Sequence, residues 1–494
     1  MTNIPRNTPV IVGIGESIDR PEQLRGLEPA QLMADAVHAA ERDVGAPLLD
    51  RIDSLDTINE VSWPYDDAAR VVAGMLGIQP PHTGNSPVGG ESPVRYLHQA
   101  ALRIQSGEIT CAAICGGEAE YSVRKAARAG LSLDWSPRSS NPSALRAGDR
   151  QRSAVRALEA ALPINVYPLY ENAARARWGQ NFDEAREESA LIWSDMSRVA
   201  AARLFGWQRR PFSAEEIATP GPDNRLISWP YTKLMVANPL VNLGACVIVT
   251  SYQLAIELGV APDRMMHIFG GHAANEPDDL MQRRDFASAG AMRHVLEQAM
   301  DDLDGSAPDL FELYSCFPVV PKMARRVLDL PREAALTVTG GLTFFGAPLN
   351  NYMGHAIVAM VQKLRSRRGS VGLLYGQGGY VTKHHSLLLT NDAPRAPLPE
   401  RAIEPGIAAG FGGPIHESYS GEAVIETYTV LFDREGAPRH GIVIARTPDH
   451  GRTIAGVAGK SPSIAPLIDP LVQCVGLKGF IESATDGTAQ FAFT

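Results

Sequence analysis

The sequence predicts an α/β protein built from two similar halves and followed by a small β-rich domain. Three observations support this fold class. Short apolar runs alternate with segments of helical spacing, one stretch of the chain recurs further on, and strand-like alternation follows a Pro-rich segment near the C-terminus. Alternating elements of this kind form a sheet covered by helices. With 494 residues, the chain is long enough for about three domains.

The first half opens on an apolar strand. Pro9–Gly15 ends in glycines, and Glu28–Asp43 then has the apolar spacing of an amphipathic helix. The pattern predicts a further strand over Asp56–Val61, a helix over Ala68–Leu76 and a buried strand over Thr110–Ile114 that ends in a double glycine.

An internal repeat of loop, helix, turn, strand and double glycine joins the two halves. Pro348 lies 261 positions after Pro87, and Gly369 lies 262 positions after Gly107. Apolar residues recur at spacings of three or four along both helices, which predicts one buried face on each. They are Val94, Leu97, Ala101 and Ile104 in the first copy, and Ile357, Met360, Val361 and Leu364 in the second. We expect two halves of one plan, packed face to face.

A polar, helix-rich stretch between the copies is interpreted as an insertion, in which Asp183–Leu204 has the spacing of one or two long surface helices. The residues after Thr390 are rich in proline and lack periodicity, which marks a linker. The chain therefore divides into a first half (1–121 and 230–258), an inserted domain (122–229), a second half (259–390), a linker (391–404) and an additional domain (405–494).

The additional domain has the alternation of short β-strands, for example at Val424, Glu426, Tyr428 and Val430. So few strands avoid exposed edges by closing into a small barrel, such as an oligonucleotide/oligosaccharide-binding (OB) fold. From Arg401 onward there are seven Lys+Arg against ten Asp+Glu, and the whole chain has a formal net charge of −9. This charge balance disfavours nucleic acid as a partner.

Composition also indicates the cellular compartment of the protein. The five cysteines, Cys111, Cys115, Cys246, Cys316 and Cys474, are too scattered for a disulfide framework or a metal site. The chain shows no signal-peptide pattern and no apolar run long enough to span a membrane. We expect a cytoplasmic protein.

Several strings in the two halves have the order found in a known family. They are Asn85–Gly90, Ile114–Glu118, Asn224–Lys233, Asn238–Ser251, Tyr314–Phe317, Gly340–Pro348 and Gly376–Gly379. On these strings the chain resembles thiolases over about residues 5–390, in particular the sterol-carrier-type thiolases and the thiolase-like proteins with an extra C-terminal domain. The resemblance implies two duplicated α/β halves, an inserted loop domain that receives coenzyme A, and acyl transfer or Claisen condensation where they meet.

Thiolase chemistry requires a nucleophilic cysteine at a helix N-terminus, a histidine base, donors for the thioester oxygens and a second cysteine for the α-proton. The resemblance puts the nucleophile at Val88, the base at Ala347 and the second cysteine at Gly376, while Tyr314 replaces a motif histidine. Losing the nucleophile of a catalytic unit costs on the order of 10⁶ in rate. We therefore expect ordinary thiolase turnover to be absent and the fold to serve another role.

Three residues are candidate catalytic substitutes. Cys316 lies in the best-matching motif, although a buried inert thiol is the simpler interpretation. Tyr314 either donates to a thioester oxygen or anchors a strand end. His355 is a base only if Gly354-His355 replaces the missing Gly-His pair, which the spacing opposes, so a structural histidine is the alternative.

Arg209 and Arg210, in the inserted domain, are the candidates for the phosphates of coenzyme A, with solvated helix ends as the alternative. Coenzyme A or acyl-CoA is the expected ligand, and neither a tightly bound cofactor nor a metal is expected. Gly13-Ile-Gly15 lacks the third glycine of a dinucleotide site.

The leading functional hypothesis is an acyl-CoA-binding or scaffold protein of lipid metabolism that lacks the usual catalytic residues. The alternative is an active acyltransferase or acyl-CoA lyase that uses Tyr314, Cys316 or His355. A third hypothesis is a module whose additional domain binds a partner protein. Related thiolases imply a dimer or tetramer, unless the tail covers that interface.

Overall fold

The computed structural model describes residues 4–21, 26–140, 146–394, 396–483 and 488–494. Residues 141–145 of the predicted inserted domain, residue 395 of the linker and residues 484–487 of the additional domain lie outside this range. The boundaries of the five predicted segments stay predictions.

The first half alternates strands and helices as its pattern predicts. Its elements are β1 (Pro9–Ile18), α1 (Pro29–Val44), β2 (Ser54–Ile58), α2 (Ala68–Leu76), β3 (His82–Asn85), α3 (Ser92–Gln105), β4 (Cys111–Ala119) and α4 (Glu120–Ala129). Strand β4 runs past the predicted end at Ile114 because its ladder with a later strand continues through Gly116 and Gly117. The observed strand β2 begins and ends a few residues before the predicted strand.

The described part of the stretch predicted as an insertion begins within α4 and contains four more α-helices and one short strand, and a second short strand follows just after its predicted end. They are α5 (Ser153–Ala157), α6 (Pro163–Arg177), α7 (Phe182–Ala202), α8 (Ala214–Ala218), β5 (Leu226–Ser228) and β6 (Tyr231–Thr232). The chain then returns to the first half through β7 (Asn242–Ser251) and α9 (Tyr252–Glu257). Helix α7 is one continuous helix. It differs from the predicted surface helix because its Trp193 and Met196 side chains are buried.

The second half follows the plan of the first, except that its described residues form no strand between α11 and α12 that would correspond to β3. It comprises β8 (Met266–Asn275), α10 (Gly290–Asp301), β9 (Leu310–Leu313), α11 (Val319–Val327), α12 (Tyr352–Arg365), β10 (Val371–Gly378) and β11 (Lys383–Thr390). The strands of both halves form one nine-stranded sheet in the order β3-β2-β4-β7-β1-β8-β11-β10-β9. The halves join through β1 and β8, where Val10 pairs with His267 and Ile11 with Met266.

Helices α3 and α12, the two repeat helices, pack against each other and against strands of both halves. All eight apolar residues that the repeat singles out are buried. Helix α1 covers the first half on its other face, and α10 covers the second. The repeat therefore gives the internal symmetry that the spacing predicts, with α3 and α12 in the middle of the molecule.

The C-terminal part contains β12 (Ile415–His416), β13 (Gly421–Phe432), β14 (Pro438–Arg446), β15 (Arg452–Ala458), α13 (Ile464–Ile468), β16 (Lys478–Ser483) and β17 (Ala489–Phe493). Strand pairing runs β13-β14-β15-β17-β16 and returns to β13, so these five strands close into a barrel. The predicted small β-barrel is confirmed. None of the helices in the described ranges is both long and apolar enough to cross a membrane.

Backbone pairing between strands and a buried arginine attach the barrel to the rest of the chain. Leu431 of β13 pairs with Ser228 of β5. The guanidinium of Arg452 is fully buried, makes a bidentate ion pair with Glu426 at 2.7 and 2.8 Å, and donates to the carbonyl of Met281 at 2.7 Å. This side chain therefore connects the barrel to the second half.

We predict that Arg452→Met lowers the free energy of unfolding by about 3 kcal/mol, because Glu426 loses its buried partner and the Met281 carbonyl loses a donor. Arg446→Met is the matched control, since Arg446 also pairs with Glu426 but its side chain is 36% exposed. The control should cost less than about 1 kcal/mol. Urea unfolding followed by circular dichroism measures both, and equal losses would contradict a docking role for Arg452.

Candidate functional site

The loops before the two repeat helices meet in the middle of the molecule. The side-chain oxygen of Asn350 accepts from the backbone N–H of Gly89 at 3.1 Å, and its nitrogen donates to the carbonyl of Asn59 at 2.9 Å. Asn351 donates to the carbonyl of Gly116 at 2.7 Å. The predicted face-to-face packing thus places the start of α3 beside the start of α12.

Val88 lies in the loop at the start of α3, which we call the α3 tip (residues 87–91). Its side chain is half-buried and its carbonyl accepts from the Lys383 ammonium at 3.0 Å. A hydrocarbon side chain at this point offers neither a nucleophile nor a proton.

Ala347 and Gly376 carry no functional group either. Ala347 is buried, and its backbone N–H donates to the carbonyl of Asn238 at 2.9 Å. A Cβ on Gly376 would lie 3.1 Å from the Cα of Glu91 and 3.3 Å from Cγ of Met353. A cysteine side chain at 376 would therefore need its neighbours to move.

Tyr314 lies directly after β9 and reaches the α3 tip. Its backbone N–H donates to the carbonyl of Tyr375 at 3.0 Å. Its hydroxyl lies so close to Gly90 that a Cβ at that position would collide with it. The phenol is buried, and burial raises the pKa of Tyr314 well above its usual range. Tyr314 therefore stays protonated and is a hydrogen-bond donor at this point.

Cys316 lies two residues further on in a fully packed setting. Its sulfur accepts from the Gln377 amide at 3.3 Å, and the same amide nitrogen donates to the Tyr167 hydroxyl at 2.8 Å. Burial raises the pKa of Cys316 to about 12. The group is thus a neutral thiol at physiological pH, without the low pKa of reactive cysteines.

His355 lies on α12 and is fully buried. Its Nδ1 is 2.7 Å from Oε1 of Glu16, and its ring lies 5.1 Å from that of Phe345. The other carboxylate oxygen of Glu16 accepts from Arg203 at 2.8 Å. The structure thus brings Tyr314 and Cys316 to one segment, whereas His355 binds a carboxylate at the end of β1. Whether any of the three acts in catalysis stays a prediction.

The sequence analysis missed Glu91, the last residue of the α3 tip. This carboxyl group is buried against Gly89 and Gly378, and its Oε2 has no hydrogen-bond partner within the described part of the chain. Burial raises the pKa of Glu91, and the charge of Lys383 partly opposes that shift. An acidic residue directly after Val-Gly-Gly in the repeat loop was the available sequence signal.

Arg209 and Arg210 are exposed, and both have partners within the chain. Arg209 donates to the carbonyls of Arg203 at 3.2 Å and Leu204 at 2.8 Å. Arg210 pairs with Glu216 at 2.9 Å, and its guanidinium carbon lies 3.8 Å from the centre of the Phe212 ring. Their role toward phosphates stays a prediction.

A groove of about 670 Å³ lies close to Arg209, between the end of β1, the C-terminal end of α7 and the last turn of α12. We call it the junction groove, because the first half, the insertion and the second half all line it. Its polar lining consists of Glu16, Arg198, Arg203, Gln362, Lys363 and Ser366, and its apolar lining of Val199, Ala202, Leu204, Phe205 and Val338. Among the described residues no group of three or more His, Cys, Asp or Glu side chains is arranged to hold a metal ion.

Comparison with known proteins identifies relatives of this architecture. Residues 407–485 match the domain family described as the thiolase-like protein type 1 additional C-terminal domain. The crystal structure of a monomeric SCP2-thiolase-like protein type 1 from Mycobacterium smegmatis is 26% identical, with a TM-score of 0.81 over 99% of this chain and 100% of that one. No curated protein sequence matches significantly.

Two more distant structures share the fold of the two halves. The dimeric peroxisomal thiolase of Saccharomyces cerevisiae is 13% identical, with a TM-score of 0.58 over 78% of this chain and 98% of that one. A structure named Ltp2-ChsH2(DUF35) aldolase is 18% identical, with a TM-score of 0.58 over 79% of this chain and 98% of that one. The chain therefore has the fold of a thiolase-like protein, and its residues 407–485 match the additional C-terminal domain of such proteins.

We predict that the native protein has no fast-reacting thiol. All five cysteines are buried, and with a pKa of about 12 Cys316 is a thiolate in only about one molecule in ten thousand at pH 8. Reaction with a chromogenic disulfide should count roughly zero thiols in the native state and all five in guanidinium. The control Cys316→Ala should change only the denatured count. A rapid native reaction that this variant abolishes would reveal an activated thiol.

Proposed function

We propose that this thiolase-like protein binds a coenzyme A thioester of lipid metabolism without forming an acyl-enzyme. The observation that carries the proposal is the hydrocarbon side chain of Val88 at the α3 tip. Attack on a thioester requires a thiolate, and a nearby imidazole to take its proton. Valine supplies no thiol, and Ala347 supplies no base.

The close packing of the two repeat loops around Val88 supports a ligand site at the α3 tip. Gly89 and Gly378 leave room for the Glu91 carboxyl, and Gly90 leaves room for the Tyr314 hydroxyl. Larger residues at these positions would clash, so the close approach of the two loops depends on the glycines. A chain that needed only its core would be free to lose this arrangement.

Charge near the inserted helices supports an anionic ligand. Arg209 is exposed and donates to two backbone carbonyls, and no carboxylate among the described residues forms an ion pair with it. We propose that Arg209 and, to a lesser degree, Arg210 meet the phosphates of coenzyme A. Arg210 must share its charge with Glu216.

Names of relatives supply the metabolic context, since one is a sterol-carrier-type thiolase-like protein and another a peroxisomal thiolase. We propose a cytoplasmic location for this chain. The aldolase relative bears a name that joins two proteins, and a protein partner for the additional domain is part of the proposal.

We predict that incubation with radiolabelled acetyl-CoA leaves no covalent adduct, whereas calorimetry detects binding of coenzyme A. Arg209→Ala should weaken that binding about tenfold, because it removes a charged donor to phosphate. Arg186→Ala is the matched control, since this exposed arginine of α7 pairs with Asp183. An acetyl adduct would refute the non-acylating role, and absence of coenzyme A binding would refute the ligand.

A second candidate function, an acyltransferase or acyl-CoA lyase, is favoured by one observation, the Tyr314 hydroxyl beside the buried Glu91 at the α3 tip. A phenol donor and a carboxyl group are suited to proton transfer at a bound thioester without a covalent intermediate.

If this second function holds, we predict that Tyr314→Phe lowers the rate of product formation from acyl-CoA mixtures at least about a hundredfold. Cys316→Ala should leave the rate within about twofold, because its thiol is protonated. Mass spectrometry of the products measures both variants. Equal turnover by Tyr314→Phe and the parent protein would remove the phenol from the reaction.

A further inference from the structure

We infer that the junction groove is a second binding site, which holds the carboxylate of a medium-chain fatty acid. This inference does not depend on coenzyme A binding, because neither the α3 tip nor Arg209 or Arg210 lines the groove. It rests on the charge of the groove wall and on its apolar lining.

The charge of the wall favours an anion. Arg198, Arg203 and Lys363 face the groove together with one carboxylate, that of Glu16. Glu16 is already bound by Arg203 and His355, and its side chain is only 1% exposed. Lys363 and Arg198 remain on the wall, and of these two Arg198 is paired with Asp195, which lies outside the groove lining. The groove is a local positive site in an acidic molecule.

Lys363 and Arg198 are available to a ligand. Lys363 is exposed, and no ion pair of its ammonium is present within the described residues. Arg198 pairs with Asp195, but both side chains are largely exposed, at 70% and 58%. Exposed pairs of this kind contribute little, so a ligand carboxylate competes readily for the guanidinium.

The rest of the wall fits a hydrocarbon chain. Val199, Phe205 and Val338 present apolar surface, and Leu204 at the rim is 73% exposed. An exposed large apolar side chain next to a cavity is typical of a binding surface. The volume of about 670 Å³ is in the range of small-molecule pockets.

The direction of helices α7 and α12 disfavours a ligand with several negative charges. Both α7 and α12 present their C-terminal ends to the groove, and these ends carry partial negative charge. These ends disfavour every anion, and they repel a phosphate-rich head group with several charges more strongly than a single carboxylate. The positive side chains of Arg198 and Lys363 offset this repulsion for a single carboxylate.

Titration calorimetry of the full chain with decanoate, below its aggregation concentration, tests the inference. We expect a stoichiometry near one and an affinity that falls at high salt, since the cations are exposed. Acetate, decanol and decyltrimethylammonium should bind at least roughly tenfold more weakly, because each lacks the chain or the negative charge.

Two variants locate the site, and both change exposed residues that should leave folding intact. The double variant Arg198→Ala/Lys363→Ala and the single variant Leu204→Ser should each weaken decanoate about tenfold. Arg186→Ala and Leu191→Ser, at exposed positions of α7 that do not line the groove, are the matched controls and should bind normally.

Three results would overturn the inference. Equal binding of decanol or decyltrimethylammonium would show that the site does not require a negatively charged ligand. If neither variant lowers the affinity for decanoate, the ligand binds outside the junction groove. Binding of decanoyl-CoA that depends on these residues, without binding of decanoate, would assign the groove to the thioester and reject the free carboxylate.

Discussion

The contact between the two repeat loops is the constraint on which the centre of the molecule depends. Asn350 and Asn351 use their side-chain amides to bind backbone groups of the other half. These hydrogen bonds bring two backbones close together, so side chains must be absent where they pass. A Cβ on Gly116 would collide with the Asn351 amide. The double glycine of the first repeat is therefore a packing requirement of the junction.

Buried charge attaches the inserted helices to this centre. Lys322 of α11 is fully buried and pairs with Glu171 of α6, whose other oxygen accepts from the Tyr231 hydroxyl at 2.7 Å. Glu188 of α7 binds two arginines of α11. Burial alone would raise the pKa of Glu188, but the hydrogen bonds from Arg326 lower it to about 2. The carboxylate thus stays charged, and separating these helices would leave unpaired charges in the interior.

The sequence could predict the frame of the candidate site better than its contents. The motif spacing predicts that Val88 lies at the start of the first repeat helix. In the structure α3 begins at Ser92, four positions after Val88. Spacing could not show that Glu91 is buried and that its Oε2 has no partner among the described residues, nor that the Gln377 amide binds the Cys316 sulfur. These properties depend on residues from both halves and the insertion, which the sequence separates by up to about three hundred positions.

Periodicity and composition by themselves determined the fold class, the duplication and the final barrel, because each depends on the local alternation of apolar and polar residues. The order of the motifs predicted the thiolase-like fold. Tertiary structure alone decided that His355 binds Glu16, that Cys316 stays a neutral thiol and that a groove lined by Arg198 and Lys363 forms beside α7. The physical reason is that hydrogen-bond partners, desolvation and cavity shape arise only when distant segments are brought into contact.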